Sequence, residues 1–197
     1  MTTPQEPAPL ADGAVTPASE VPTRLVGLPP VVSDRTVVLV LGSFPGAASL
    51  KAQQYYGHPQ NHFWRILQSL WPQHPLPPAG PQHYAQRCAW LLERRLGLWD
   101  VYASCEREGS LDTSIRHAVV NDFAQLLHEC PGLRAIAHNG GESFKHSAAV
   151  RQQWAGAYPG AQVQSVRLPS TSPANASWSF ERKQTAWAEL MAAHGLL

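Results

Sequence analysis

The chain has little of what would mark several common protein classes. It holds three cysteines, Cys88, Cys105 and Cys130. An odd number at wide spacing excludes a disulfide framework and a Cys-x-x-Cys zinc site. It also falls short of the four thiolates of an ordinary iron–sulfur cluster. Reduced core thiols in a reducing compartment are expected instead. Lysine is scarce: Lys51, Lys145 and Lys183 stand against 12 arginines. The formal net charge is only +1, which excludes a chain-wide electrostatic footprint for nucleic acid but leaves room for a local basic face. No apolar run approaches the roughly 20 residues that a bilayer-spanning helix needs. The N-terminus has no positive segment followed by an apolar stretch, so no secretory signal is read there and a cytoplasmic location is expected. The nine histidines fall at no metal-ligand spacing, so no metal is expected; no cofactor is expected either.

What is present fits one globular domain. The 197 residues are 44% hydrophobic, enough for an adequate core. Residues 1–33 hold seven prolines among Ala, Thr and Glu with no periodicity, so a disordered tail is expected there and the domain is expected over 34–197. Residues 37–41 (Val-Val-Leu-Val-Leu) are continuous and apolar, the pattern of a central parallel strand covered on both faces. Phe63, Leu67, Leu70 and Trp71 recur at helical spacing, and Pro72 stops that helix. Tyr84, Cys88, Leu91 and Leu92 repeat the spacing. Residues 98–102 read as a second strand, and Val119, Phe123, Leu126 and Leu127 as a helix. Residues 133–137 and 163–168 read as the third and fourth strands, and Phe180, Trp187, Leu190 and Met191 as the last helix. Four alternations of strand and helix imply an α/β fold: a mostly parallel four-stranded sheet with helices on both sides.

Ligands of such sheets bind beyond the carboxyl ends of the strands, and each strand end here carries small or polar residues. Gly42-Ser43-Phe44-Pro45-Gly46 follows the first strand. It matches neither a dinucleotide fingerprint nor a Walker loop nor a Gly-x-Ser-x-Gly elbow. It reads either as a Gly/Pro turn or as backbone laid close to a ligand, offering N–H groups. Tyr55 and Tyr56 are core aromatics or a platform for a planar heterocycle. Asn61 stands where a helix cap belongs. Its alternative role is to hold a water, since a neutral amide orients but does not deprotonate. Asn139, before Gly140-Gly141, is a turn residue or an amide that reads the edge of a base. Ser170, Thr171, Ser172 and Asn175 lie in a rigid hydroxyl-rich loop that either caps the next helix or holds phosphates. Asp100, Ser110 and Asp112 are further polar candidates.

Taken in order, these segments resemble the uracil-DNA glycosylase superfamily, and within it the hypoxanthine-DNA (deoxyinosine) glycosylase branch. The resemblance rests on residues 42–46, Gln54-Tyr55-Tyr56, Pro59-x-Asn61-x-Phe63-Trp64, Leu98-Trp99-Asp100-Val101, Gly109-Ser110-Leu111-Asp112, Asn139-Gly140 and residues 168–175, and spans about residues 36–190. It implies a three-layer α/β/α sandwich and excision of deaminated bases (hypoxanthine, uracil or xanthine) from DNA in base excision repair. Other branches carry a water-activating Asn or Asp in the first motif, where this chain has Phe44. In the hypoxanthine branch a downstream Asn takes over, and Asn61 is the matching residue. The resemblance also implies base contacts from Gly42, Ser43, Phe44, Tyr56 and Asn139. Gly46, Ser170, Thr171, Ser172 and Asn175 are the implied DNA contacts. No lysine matches a position at the sugar, so a monofunctional enzyme is expected; a monomer acting on DNA is expected as well. Two other classes compete: a noncatalytic relative that binds damaged DNA, and a small-molecule hydrolase, which would need an activated Ser or Cys with a His base.

Overall fold

Alternation of side chains across one sheet organises the molecule. The computed structural model describes residues 24–160 and 162–197. Its central sheet comprises β2 (Val38–Gly42), β3 (Leu96–Asp100), β6 (Ala135–Asn139) and β7 (Gln164–Leu168), in the order β3-β2-β6-β7. All three pairings are parallel. Successive residues of a strand face opposite sides. Val38 and Val40 therefore join one core, with Ala135, Ala137, Leu96 and Leu98, under α2 (Phe63–Leu70), α3 (Tyr84–Glu93) and α7 (Phe180–Ala193). Leu39, Leu41 and Ile136 join the other, with Phe123 of α4 (Phe123–Glu129) and Val150 and Trp154 of α6 (Ser147–Ala157). Full burial of each such side chain contributes about 1.5–3 kcal/mol. The three layers expected from the sequence are present.

A second sheet departs from the expected architecture. β1 (Arg24–Val26), β4 (Tyr102–Glu106) and β5 (Arg116–Val120) form an antiparallel sheet in the order β1-β4-β5. The strand expected over 98–102 is in fact split at Val101. β3 ends at Asp100, and Val101 and Tyr102 turn their N–H groups to the carbonyls of Gly42 and Ser43, at 2.9 and 3.0 Å. Val119 was expected on a helix and lies instead in β5, half exposed, because its β-branched neighbourhood suits an edge strand. The helix begins at Phe123, where Asp122 Oδ1 accepts the N–H of Ala124. Phe123 and Leu126 are buried as expected, while the side chain of Leu127 lies outside the described ones.

The expected boundary at Asp34 also moves. Residues 1–23 of the expected tail lie outside the described residues, but 24–33 belong to the fold. Leu28 is buried, Val31 pairs with Leu98, and the carbonyls of Leu28 and Pro29 accept the Tyr55 hydroxyl. Of the thiols, Cys105 and Cys130 are buried, Cys88 is half-buried, and all three are free.

Candidate active site

The carboxyl ends of the parallel strands open into a cleft of about 1010 Å³. One wall is the turn after β2. Gly46 leads directly into α1 (Ala47–Ala52), whose first N–H donates to Ser110 Oγ at 2.9 Å. Ser43 Oγ donates to Asp112 Oδ1 at 2.6 Å, and Arg107 donates to the Pro45 carbonyl at 2.5 Å. The loop after β4 thus clamps the turn from outside. Phe44 lines the cleft with its side chain buried in the core cluster of Leu39 and Leu41, the Arg107 guanidinium lying 5.1 Å from its ring centroid. Only its backbone can serve a ligand, so no side chain in this turn activates water as an Asn or Asp would.

The opposite wall is held by an amide. Asn139, at the end of β6, donates through Nδ2 to Tyr56 Oη at 3.1 Å and to Thr171 Oγ1 at 2.9 Å, and its Oδ1 accepts the Thr171 N–H at 2.9 Å. Both amide donors are therefore committed to protein, leaving one oxygen lone pair for a base. Thr171 has no exposure, and its carbonyl accepts the His62 N–H. Thr171, an expected DNA contact, lines the cleft but has its polar atoms bonded within the protein, where it latches β6 to the start of α2. Ser170, Ser172 and Asn175 also line the cleft. Asn175 Nδ2 donates to the Ser170 carbonyl, and Lys183 Nζ donates to the carbonyl of Asn175 at 3.0 Å, fixing the loop's shape. Gly140 sits at φ 113° and a Cβ there would stand 3.1 Å from Ser170, so a glycine is required for both reasons.

Tyr56 and Asn61 reach the cleft from the long loop between α1 and α2, Asn61 just before the start of α2. The Tyr56 ring stacks on Phe63 with centroids 3.9 Å apart, and its backbone is left-handed at φ 55°. That strained position is held by the stack and by the Asn139 bond. Asn61 Oδ1 accepts the Phe63 N–H at 3.0 Å, so it secures the first turn of α2 from one residue before the N-cap position, His62. Its Nδ2 meets no acceptor among the described residues, and the side chain lines the cleft. One amide therefore both starts the helix and faces the ligand space.

The floor carries a group that the sequence noted only in passing. Asp100, 4% exposed, lies opposite Gly42 in the β2–β3 register, and its Oδ2 is buried without a partner. Desolvation, reinforced by the negative charge of Asp112 and only partly offset by Arg107, pushes its carboxyl up to about 8. Desolvation raises Asp112 too, against the lowering effect of the Ser43 hydrogen bond.

A family model described as the uracil DNA glycosylase superfamily matches residues 29–191. The chain belongs to this superfamily. A protein named hypoxanthine DNA glycosylase from Methanosarcina barkeri is 36% identical over 167 residues, covering 83% of this chain and 95% of that one. One of the same name from Methanosarcina acetivorans is 34% identical over 157 residues, covering 80% and 92%. A solution NMR structure from Methanosarcina acetivorans, of a candidate uracil DNA glycosylase, superposes with a TM-score of 0.66 at 32% identity, covering 85% of this chain and 99% of that one.

For this superfamily member, the structure brings Gly42, Ser43, Phe44, Gly46, Tyr56, Asn61, Asn139, Ser170, Thr171, Ser172 and Asn175 to one cleft. His58, Arg167 and Trp178 join them there and were not read from the sequence. No described cluster of His, Cys, Asp and Glu could hold a metal, and no described helix is long and apolar enough to cross a membrane. Among the described residues the hydrolase alternative finds no activated nucleophile. Ser43 bonds a carboxylate with no imidazole between, and the Ser143–His138 pair, 2.9 Å apart, is buried and does not line the cleft.

Proposed function

We propose that this chain is a monofunctional DNA glycosylase that excises deaminated bases, hypoxanthine foremost, as a monomer in cytoplasmic base excision repair. The observation that carries the reading is the meeting of Tyr56, Asn61 and the backbone of residues 42–44 in one cleft, on a chain whose similar relatives are named hypoxanthine DNA glycosylase.

The target nucleotide leaves the stack at a cost of a few kcal/mol, least for a mispaired base. Tyr56 stacks on it, a contact of about 1–3 kcal/mol. Backbone N–H groups of Ser43 and Phe44 bond its edge, with Asn139 holding Tyr56 in place. As the N-glycosidic bond lengthens, positive charge grows on the sugar and negative charge on the base, and preplaced donors stabilise that separation. Asn61 orients the water that adds to the sugar. Ser170, Ser172, Asn175 and the start of α1 at Gly46 hold the flanking DNA strand.

Absence of a lyase step is supported by where the lysines are. Lys183 is buried against the loop after β7, Lys145 pairs with Glu142, and Lys51 is exposed on α1. Release of hypoxanthine, uracil and xanthine from single-lesion duplexes tests the reading. Hypoxanthine release without strand cleavage, and no DNA adduct on borohydride treatment, is expected. No release from any duplex or single strand would move the noncatalytic binding class to first place.

A further inference from the structure

We propose that Asp100 is a catalytic residue of this site, its carboxyl acting as a hydrogen-bond donor to the departing base. The inference rests on the glycosylase reading above and extends it.

Four features of the floor point there. Asp100 lines the cleft yet is almost wholly buried, and its Oδ2 has no partner. A buried polar atom without a partner costs about 1–3 kcal/mol, so it calls for an explanation. Its neighbour in the register is Gly42, where a Cβ would stand 2.3 Å from Asp100 Oδ1. Any side chain at position 42 would evict the carboxyl, so the glycine makes room for it. Finally, no described residue supplies a counter-ion in contact. Arg107 acts on Asp100 only through space, and its contacts are with the Pro45 carbonyl and the Phe44 ring.

The charged and titratable groups around Asp100 decide its state. Asp112 faces it from the loop after β4, Tyr55 and Tyr56 from the long loop, and Tyr84 from α3. All three phenols are themselves raised, by burial first, and stay neutral. Only Arg107 favours the carboxylate. Burial wins, and the acid is neutral near pH 7.

A neutral carboxyl suits this chemistry twice over. It presents a donor beside an acceptor. Every deaminated base presents a lactam, with its own N–H beside a carbonyl, so the two edges match. In the transition state the C1′–N bond breaks with its electron pair going to the base, and the lactam oxygen gains negative charge. The Asp100 proton stays on the carboxyl and stabilises that charge through its hydrogen bond. Water adds to C1′ and loses a proton, and the base takes up a proton on release. A carboxylate at the same place would repel the leaving group.

The test is single-turnover release of hypoxanthine from about pH 6 to 10, by wild type, Asp100→Asn and Asp100→Ala. Melting temperatures are measured alongside, at every pH. Wild-type release is expected to fall as pH rises through about 8. Asp100→Asn keeps a donor that cannot ionise. It should lose less than about tenfold at pH 7 and lack the alkaline fall. Asp100→Ala should lose on the order of 10²–10³-fold. All three proteins meet the same substrate, so ionisation of the base itself is common to them. An alkaline fall unchanged in Asp100→Asn, or an equal loss in both variants with melting temperature preserved, overturns the inference while leaving the glycosylase standing. No release by wild type overturns the reading beneath it, and the inference with it.

Discussion

Gly42 and Asp100 sit side by side on adjacent parallel strands, so close that a Cβ on the glycine would stand 2.3 Å from Asp100 Oδ1. The spacing makes Gly42→Ala a probe of the floor of the cleft. Inserting one methyl into a filled site costs about 1–3 kcal/mol, and here the atom that must move is a carboxyl oxygen of Asp100, which lines the cleft. Base release is expected to fall by about 100-fold in a protein that still melts cooperatively. Wild-type rates in Gly42→Ala would show that the carboxyl does not act from this position.

Stability against pH gives a second test of the same group. The Asp100 carboxyl titrates near 8 in the folded protein, against about 3.9 in an unfolded chain. Between those values the unfolded state binds fewer protons, so stability falls as pH rises. The contribution is intact below about pH 4 and gone by about pH 8. Asp100→Asn removes this slope. Urea unfolding at pH 5 and pH 9 should show the variant gaining on wild type at the higher pH. An equal difference at both values would mean the carboxyl is ionised in the folded protein at pH 5.

Asn139 ties three segments with three hydrogen bonds. Asn139→Ala should cost about 2 kcal/mol, since each bond contributes about 0.5–1.5, and should loosen Tyr56 and the loop after β7 together. Tyr56→Phe removes one of those bonds and keeps the ring. It should therefore lose less stability than Asn139→Ala and retain stacking on the base. Denaturant midpoints and duplex affinity measure the two effects. An Asn139→Ala protein as stable as wild type would make these bonds incidental.

Much of the fold could be read from residues that act locally. Residues 37–41 are apolar throughout and had to be buried on both faces. Asn61, Gly140 and the run 170–175 carry turn and cap chemistry in their own sequence. The rest depends on partners far along the chain. The break at Val101 is set by the carbonyls of Gly42 and Ser43, nearly sixty residues earlier, while residues 98–102 by themselves resemble one strand. β1 is three residues long with exposed ends, so no burial pattern marks it. Thr171 looks like any loop hydroxyl until Asn139 and His62 claim its polar atoms. The burial of Asp100 likewise follows from Gly42, Tyr56 and the loop after β4.

The N-terminal boundary follows from the same long-range pairing. Removing residues 1–33 deletes β1, the buried Leu28 and the carbonyls that accept the Tyr55 hydroxyl, whereas removing 1–23 leaves these in place. The longer deletion should lower the melting temperature by several degrees relative to the shorter, on the order of 2 kcal/mol from Leu28 alone. Identical melting curves would place 24–33 outside the cooperative unit.

In Asn61 one side chain both secures the start of α2 and, in the proposed mechanism, orients the attacking water. Asn61→Ala loses the hydrogen bond to the Phe63 N–H, worth about 1 kcal/mol. Asn61→Asp keeps that acceptor. The decisive measurement is the single-turnover rate of hypoxanthine release by Asn61→Ala at saturating enzyme and at a temperature where it is fully folded. A loss of at least about 100-fold is expected, with duplex binding close to wild type. A rate within a few-fold of wild type would leave Asn61 a helix cap and nothing more.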